Sequence, residues 1–134
     1  MTDGSVRLAG RLRVLVADDN CDAAETLAWL VGSARHRVRT AHDGQHALQI
    51  AMSGWPDVAV LDIEMPRRSG YDVAAAVRAE FSPRRMALIA LTGWSQPAQR
   101  AKARAAGFDR FLTKPVEFNE LDALLRALQA SSPT

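Results

Sequence analysis

The sequence predicts an α/β fold: a doubly wound, five-stranded parallel sheet covered on both faces by five helices. Three observations support this prediction. Short apolar runs alternate with stretches of helical periodicity, five of each. The central run, residues 58–61, is uninterrupted by polar residues, which is typical of a strand buried on both faces. Five such units favour an open sheet over a barrel, which needs eight.

The first two strands are predicted to differ in burial. Residues 14–17 form an apolar strand that ends at Asp18 and Asp19, and either aspartate could cap the following helix or complement its dipole. That helix carries apolar residues at i, i+3, i+4 and i+7. Residues 37–41 alternate polar with apolar side chains, which indicates a strand at or near a sheet edge. A turn then leads into a second helix, which stops at Gly54.

The second half of the chain continues the alternation. A buried strand, residues 58–62, is followed by a loop that contains Pro66 and Gly70. The remaining elements are predicted as a helix over 71–80, a strand over 87–91, a helix over 96–106, a strand over 110–112 and a helix over 117–130.

Composition and termini suggest one domain without a membrane segment. Residues 1–12 show no periodicity, so we expect a flexible arm, then a domain over 13–130 and a tail over 131–134. The single cysteine suits a reducing compartment, and no apolar run is long enough to span a bilayer, so we expect a cytoplasmic protein. The formal charge is only +2, without basic runs interleaved with aromatic residues, so nucleic-acid binding by this chain alone is not expected.

Residue type predicts the surroundings of four further side chains. We expect Trp29 and Trp55 to be packing residues and Cys21 to be a buried or half-buried thiol. His36 is expected at the surface.

Four of the five predicted strands end in an acid, a hydroxyl or an amine. Asp18 and Asp19 follow the first strand, Asp62 ends the third, Thr92 follows the fourth and Lys114 follows the fifth. Ligands of open α/β sheets bind beyond the carboxyl ends of the strands, where the strand order reverses. We therefore expect these five side chains to form one site.

The chemistry of this residue set favours phosphoryl transfer. Three neighbouring carboxylates repel one another, and either protonation or a bound cation relieves the repulsion. Ligands that are all oxygen point to Mg²⁺, with calcium and manganese as alternatives. With its charge masked, Asp62 can attack a phosphorus atom and become an acyl phosphate. Lys114 and the metal would supply positive charge to the phosphoryl oxygens, and Thr92 would supply a hydrogen bond.

From about residue 13 to residue 130 the chain resembles a response-regulator receiver domain of the CheY-like class. The matching motifs are the acidic pair after the first strand, Asp62 with Met65-Pro66 and Gly70 behind it, Thr92 after the fourth strand, and Lys114-Pro115 after the fifth. The resemblance implies a flavodoxin-like sheet with strand order 2-1-3-4-5.

The resemblance also implies roles for the acidic residues. Asp62 would be the phosphoacceptor, Asp19 a direct metal ligand, and Asp18 a ligand through water. The main-chain carbonyl of Glu64 would complete the metal shell. Mg²⁺ is the implied cofactor.

Further roles are implied at the fourth and fifth strands. Thr92 and Lys114 would hold the phosphoryl group, and Phe111 occupies the position of the family's switch aromatic. The peptide bond between Lys114 and Pro115 is expected to be cis.

The implied function is that of a phosphorylation switch rather than an enzyme. The phosphoryl group would come from a sensor histidine kinase or a histidine phosphotransfer protein. An output partner would bind the fourth helix, fifth strand and fifth helix, with Arg100, Lys102 and Arg104 as candidate contacts. Residues 91–94 and 106–116 are also similar to receivers of hybrid sensor kinases. The chain is therefore expected to be a single-domain regulator or part of a larger protein.

Two residues are expected to modulate water access to the acyl phosphate. Glu64 lies two residues after Asp62, and the bulky Trp94 lies two residues after Thr92. We expect a long-lived phosphoryl group, and a lifetime of only seconds would contradict this.

One alternative is a haloacid-dehalogenase-like phosphatase, but such enzymes have a second aspartate where this chain has Glu64. Another alternative is a phosphate-independent scaffold, which the complete acid set disfavours.

Overall fold

The computed structural model describes residues 11–81, 86–93 and 97–130, in which strands and helices alternate as predicted. The strands are β1 (Arg13–Ala17), β2 (Arg37–Ala41), β3 (Val58–Asp62), β4 (Ala87–Thr92) and β5 (Arg110–Thr113). The helices are α1 (Cys21–Ser33), α2 (Gly44–Met52), α3 (Gly70–Glu80), α4 (Pro97–Ala106) and α5 (Phe118–Ala130). Strands β4 and β5 each run one residue further than predicted.

All neighbouring strands are parallel, in the order β2-β1-β3-β4-β5. The predicted doubly wound sheet is therefore confirmed. The order reverses at β1, which has β2 on one side and β3 on the other. A crevice at such a reversal is where open α/β sheets place their ligands. Here it lies beyond Ala17 and Asp62, the last residues of β1 and β3.

The sheet divides the core into two layers. On one face, Val16, Val60 and Ile89 pack with Leu121 and Leu125 of α5, and α1 joins the same layer. The other face is covered by the remaining three helices, which contribute small and branched residues such as Val73, Ala74, Val77, Ala47 and Ala103. Every residue of β3 is buried, as predicted, whereas β2 at the edge is buried only at Ala41. Each fully buried Val or Leu stabilises the fold by about 1.5–3 kcal/mol.

Local capping explains where three helices begin. Asn20 caps α1 by accepting a hydrogen bond from the Ala23 N–H, so neither aspartate before it performs the capping that the sequence left open. Asp43 caps α2 in the same way through the His46 N–H. Ser69 and Asp72 form a reciprocal capping box at the start of α3.

Three side chains differ from their sequence-based assignment. Trp29 is 71% exposed on the outer side of α1, so it is not a packing residue. Cys21, the first residue of α1, is exposed rather than buried. His36 is buried, and its Nδ1 accepts a hydrogen bond from the Leu12 N–H at 3.1 Å. The spacing of apolar residues predicts which positions of a helix or strand are buried. It does not predict that a polar side chain such as His36 is buried against a hydrogen-bond partner from a distant segment.

The proposed ends of the domain lie partly beyond the described range. Residues 1–10 of the predicted arm and all of the predicted tail, 131–134, lie outside the described residues. Leu12, the last residue of the predicted arm, is buried against the core. Among the described residues, every helix is too short or too polar to cross a lipid bilayer.

Candidate functional site

The carboxyl edge of the sheet brings together the charged residues that follow β1, β3 and β5. Asp18 is held by its main-chain N–H, which donates to the Ala41 carbonyl of β2 at 3.0 Å. Asp62 ends β3 and pairs with Leu91 of β4, the residue before Thr92. Asp18, Asp62 and Thr92 are all buried.

Lys114 reaches back over this edge to both buried aspartates. Its main-chain N–H donates to the Thr92 carbonyl at 2.8 Å, which fixes the start of its side chain beside β4. Its Nζ lies 2.7 Å from Asp62 Oδ2 and 3.3 Å from Asp18 Oδ2. The peptide bond between Lys114 and Pro115 is cis.

Backbone amides bind the remaining carboxylate oxygens. The Glu64 N–H donates to Asp62 Oδ1 at 3.1 Å, and the Asn20 N–H donates to Asp18 Oδ1 at 3.0 Å. Each of the two buried carboxylates therefore has an amide on one oxygen and the Lys114 ammonium on the other. The Glu64 side chain is exposed.

Asp18, Asp19 and Asp62 form a carboxylate cluster, with one oxygen of each within 4.8 Å of the others. Asp19 is exposed, so the cluster opens to solvent on its side. Three carboxylates face a single ammonium, which leaves excess negative charge among oxygen ligands. A hard divalent cation fits this donor set.

Burial is the main influence on the pKa of Asp62. Burial raises the pKa of Asp62 from the ordinary 3.8 to about 6, and the charge of Asp18 adds to the increase. Hydrogen bonds from Lys114 and the Glu64 amide act in the opposite direction. Burial lowers the pKa of Lys114, but Asp62 and Asp18 outweigh it, so the net pKa lies above the ordinary value. At neutral pH the site therefore contains an ionised Asp62 and a protonated Lys114.

The predicted switch aromatic and the predicted output contacts of α4 lie in cation–ring contacts. Phe111 is half-buried in β5, and the guanidinium carbons of Arg100 and Arg104 lie 5.8 and 5.4 Å from its ring centroid. Lys102 Nζ lies 4.6 Å from the Tyr71 ring centroid, on the other flank of α4. Trp94 lies outside the described residues.

Sequence reasoning missed two neighbours of the site. Asn20 caps α1 and leaves the aspartates available, although an asparagine before a helix is itself a recognised capping signal. His42 Nδ1 lies 3.4 Å from the Asp18 main-chain oxygen, and its Nε2 lies 3.5 Å from Glu25. Nothing in the local sequence around His42 indicates this contact, because it depends on the register of β1 against β2.

The chain matches the family model for the response regulator receiver domain over residues 14–126. Among curated proteins, it is 35% identical over 117 residues to the response regulator MprA of Mycobacterium ulcerans, which covers 87% of this chain and 50% of MprA. The chain thus spans about half the length of the curated relatives it matches.

Two examples illustrate the solved structures that are similar to this chain in fold and sequence. One is the receiver domain of the sensor histidine kinase PA1611 from Pseudomonas aeruginosa, with a magnesium ion coordinated in its active site cleft. It has a TM-score of 0.81 and 28% identity, covering 90% of this chain and 98% of that one. The other is a response regulator from Burkholderia pseudomallei with a phosphorylated aspartic acid, a calcium ion and citrate. Its TM-score is 0.76 with 27% identity, covering 88% of this chain and 68% of that one.

Proposed function

Because this chain belongs to the family of response regulator receiver domains of two-component signalling, we propose that it accepts a phosphoryl group on Asp62 and changes conformation in response. The observation that carries this proposal is the surroundings of Asp62. A buried carboxylate with a pKa of about 6 lies 2.7 Å from an ammonium and within a cluster of two further carboxylates. At neutral pH such an aspartate is ionised, held in position by hydrogen bonds and close to an ammonium that would bind a phosphoryl oxygen.

Asp18, Asp19, Asp62 and the main-chain carbonyl of Glu64 are the proposed ligands of Mg²⁺. When bound, Mg²⁺ would neutralise the mutual repulsion of the carboxylates and orient phosphate oxygens. The cluster of oxygen ligands supports this assignment, as does the magnesium ion in the similar PA1611 receiver domain.

The proposed reaction is an in-line displacement at phosphorus. An Asp62 carboxylate oxygen forms a new P–O bond as the bond between phosphorus and the donor breaks, and the leaving group takes up a proton. The product is an acyl phosphate, and the phosphorylated aspartic acid of the Burkholderia pseudomallei regulator supports this assignment by similarity. Lys114 Nζ would move its hydrogen bond from Asp62 to a phosphoryl oxygen, and the Thr92 hydroxyl would donate to another.

The proposed contacts would contribute a free energy of the size that a two-state switch needs. Inverting a two-state population from 1:99 to 99:1 takes about 5.5 kcal/mol. Two or three charge-assisted hydrogen bonds that form only in the phosphorylated state would together contribute about 3–9 kcal/mol, a range that includes this value. We propose that Thr92 moves towards the phosphoryl group and that Phe111 rotates into the space Thr92 leaves. Glu64 and Trp94 are proposed to control water access.

The proposed partners follow from family membership. The phosphodonor would be a sensor histidine kinase or a histidine phosphotransfer protein. The output partner would bind α4, β5 and α5, where Arg100 and Arg104 lie over Phe111 and would be released by its rotation. The proposed location is the cytoplasm, which the single, free Cys21 supports because unpaired thiols suit reducing compartments.

A rival function is an aspartate-nucleophile phosphatase, and one experiment separates it from a switch. The purified chain is incubated with Mg²⁺ and acetyl phosphate while intact mass and free phosphate are followed. We expect the mass gain of one phosphoryl group in wild type and none in Asp62→Asn, with phosphate release limited by slow hydrolysis of the acyl phosphate. Rapid, sustained turnover of the donor without a phosphorylated species would favour the phosphatase. A mass gain in both proteins would contradict Asp62 as the acceptor.

A further inference from the structure

The loop between Asp62 and α3 is folded back on itself. The Gly70 N–H donates to the Ile63 carbonyl at 2.8 Å, which closes the base of the loop, and the Arg68 N–H donates to the Pro66 carbonyl at 2.8 Å. Arg67, which lies between Pro66 and Arg68, has a φ of 72°. This is a left-handed conformation that a branched or bulky side chain rarely adopts. A residue in this sparsely populated conformation costs free energy, which contacts with the surrounding structure can offset.

Those contacts come from the first turn of α2. The Gly44 N–H donates to the Pro66 carbonyl at 3.1 Å. Arg68 Nε lies 3.3 Å from Gln45 Oε1, and Arg67 Nε lies 3.7 Å from Asp43 Oδ2. One main-chain contact and two side-chain contacts thus join the loop to three consecutive residues: the cap of α2 and the first two residues of that helix.

The main-chain contact is possible only because residue 44 has no side chain. A Cβ at Gly44 would lie 1.8 Å from the Arg68 carbonyl oxygen and 2.5 Å from its carbonyl carbon. Both are backbone atoms, so they cannot turn aside as the end of a flexible side chain would. Any substitution at Gly44 must therefore move the loop away from α2.

The same loop carries the backbone groups that surround the phosphoacceptor. The Glu64 N–H donates to Asp62 Oδ1, and the Glu64 carbonyl is a proposed metal ligand. At the far end, a Cβ at Gly70 would lie 2.6 Å from the Asp62 carbonyl oxygen, so α3 also begins in direct contact with the acceptor residue. Displacing the middle of so short a loop shifts Glu64.

We propose that Gly44 is a positioning residue for the phosphoacceptor site: by letting α2 bind the loop after Asp62 directly, it places the Glu64 backbone against the carboxylate. The inference rests on the proposed function, because it concerns the efficiency of that same site. Gly44 is far from Asp62 in sequence, and its side of α2 forms no part of the carboxylate cluster.

The test compares Gly44→Ala with Gly32→Ala. Gly32 lies in the last turn of α1, where a new Cβ would meet only Val38 Cγ1 at an ordinary 3.9 Å. We expect Gly44→Ala to phosphorylate at least about tenfold more slowly from acetyl phosphate and to bind Mg²⁺ more weakly, because displacements near 1 Å can slow a positioned reaction by up to about a hundredfold. Gly32→Ala should retain wild-type values. A folded Gly44→Ala protein with wild-type rate and Mg²⁺ affinity would overturn the proposal.

A second measurement uses the wild-type protein and is independent of whether Gly44→Ala folds. Backbone amide NMR signals are followed while Mg²⁺ alone is added. The Gly44 signal should shift together with those of Glu64 and Arg68, and the Gly32 signal should not. Shifts at Glu64 without a shift at Gly44 would overturn the positioning role alone. The absence of shifts at both Asp62 and Glu64 would instead count against the proposed function.

Discussion

Asp62 experiences opposing influences within a few ångströms. The Lys114 ammonium and the Glu64 amide stabilise its charged form, whereas burial and the Asp18 carboxylate destabilise that form. The net effect raises the pKa of Asp62 to about 6, so the influences that destabilise its charged form are the larger ones. The ionised form of Asp62 is therefore less stable in the fold than in water, and strongly shifted carboxylates of this kind are often found at functional sites.

Asp62→Asn should stabilise the metal-free domain at neutral pH. Because the pKa of Asp62 rises from 3.8 in the unfolded chain to about 6 in the fold, stability falls as pH increases from about 4 to 6 and stays low above that. The shift corresponds to about 3 kcal/mol, which solvent access at the open side of the site reduces to about 1–2 kcal/mol. Urea unfolding with a chelator should show this gain near pH 7.5 and almost none near pH 4.

Asp22→Asn is the matched control, because Asp22 is an exposed acid in the first turn of α1 outside the carboxylate cluster. Its effect should stay within about 0.5 kcal/mol at either pH. An Asp62→Asn variant that is less stable than wild type at neutral pH would show that the Lys114 hydrogen bond outweighs burial and repulsion.

Among the elements, α4 is attached to the domain in an unusual way. Within α4, all of whose residues the structure describes, only Ala103 is buried. Its basic side chains lie over aromatic rings on both flanks: Lys102 over Tyr71, and Arg100 and Arg104 over Phe111. Cations over rings therefore supply attachment that other helices obtain from buried apolar side chains. Such contacts are weak enough to be exchanged during a conformational change.

Arg100→Ala/Arg104→Ala should shift the domain towards its activated conformation. If each guanidinium contact with Phe111 stabilises the present conformation by about 0.5–1 kcal/mol, losing both should increase the affinity for beryllofluoride about five- to thirtyfold. Titration with beryllofluoride and Mg²⁺ measures this affinity. Arg110→Ala is the control, because Arg110 is an exposed arginine of β5 whose described hydrogen bond goes to the neighbouring Asp109 carbonyl. Equal affinities for both variants would exclude a role for the ring contacts.

The opposite end of the sheet has a different kind of link between elements. Arg78 of α3 donates to the carbonyls of Gly107 and Met86 at 3.0 and 2.7 Å and to Asp109 Oδ2 at 2.7 Å. The same Asp109 oxygen accepts the Leu88 N–H at 2.8 Å. This largely buried ion pair joins α3 to the segments that lead into β4 and β5.

Arg78→Ala should reduce the free energy of unfolding by about 3 kcal/mol or more, because it leaves Asp109 and two carbonyls without the guanidinium. Arg126→Ala is a suitable comparison. Arg126 forms an i,i+4 pair with Asp122 on α5 and is 76% exposed, so its loss should cost less than about 0.5 kcal/mol. Urea unfolding of both variants measures the difference. Similar losses in the two variants would contradict the assignment of Arg78 as a structural link.

At the scale of the whole molecule, the fold and the clustering of charged residues could be predicted because both follow from one regularity. Parallel strands in an alternating chain end at the same edge, so Asp18, Asp62 and Lys114 had to meet there. The hydrophobic pattern identified the buried strands and the buried faces of helices for a similar reason. Residues that share a buried face recur at a regular spacing along the sequence.

Contacts that depend on register or on distant segments could not be predicted. The burial of His36 depends on the Leu12 amide, and the Arg78 network depends on carbonyls from two separate segments. Trp29 is the opposite case: its residue type predicts burial, but it lies at an outward-facing position of α1 and stays exposed. The close approach of Gly44 to Arg68 likewise requires the packing of α2 against the loop.

We propose that Asp62, held among two carboxylates and an ammonium, is the residue that becomes phosphorylated. Trapping with borohydride tests it most directly, because the reagent reduces an acyl phosphate of aspartate to homoserine, which peptide mass spectrometry then locates. After incubation with Mg²⁺ and acetyl phosphate, homoserine is expected at position 62 and at no other aspartate. Homoserine at Asp18 or Asp19, or none at position 62 in a protein that has gained a phosphoryl group, would contradict the claim.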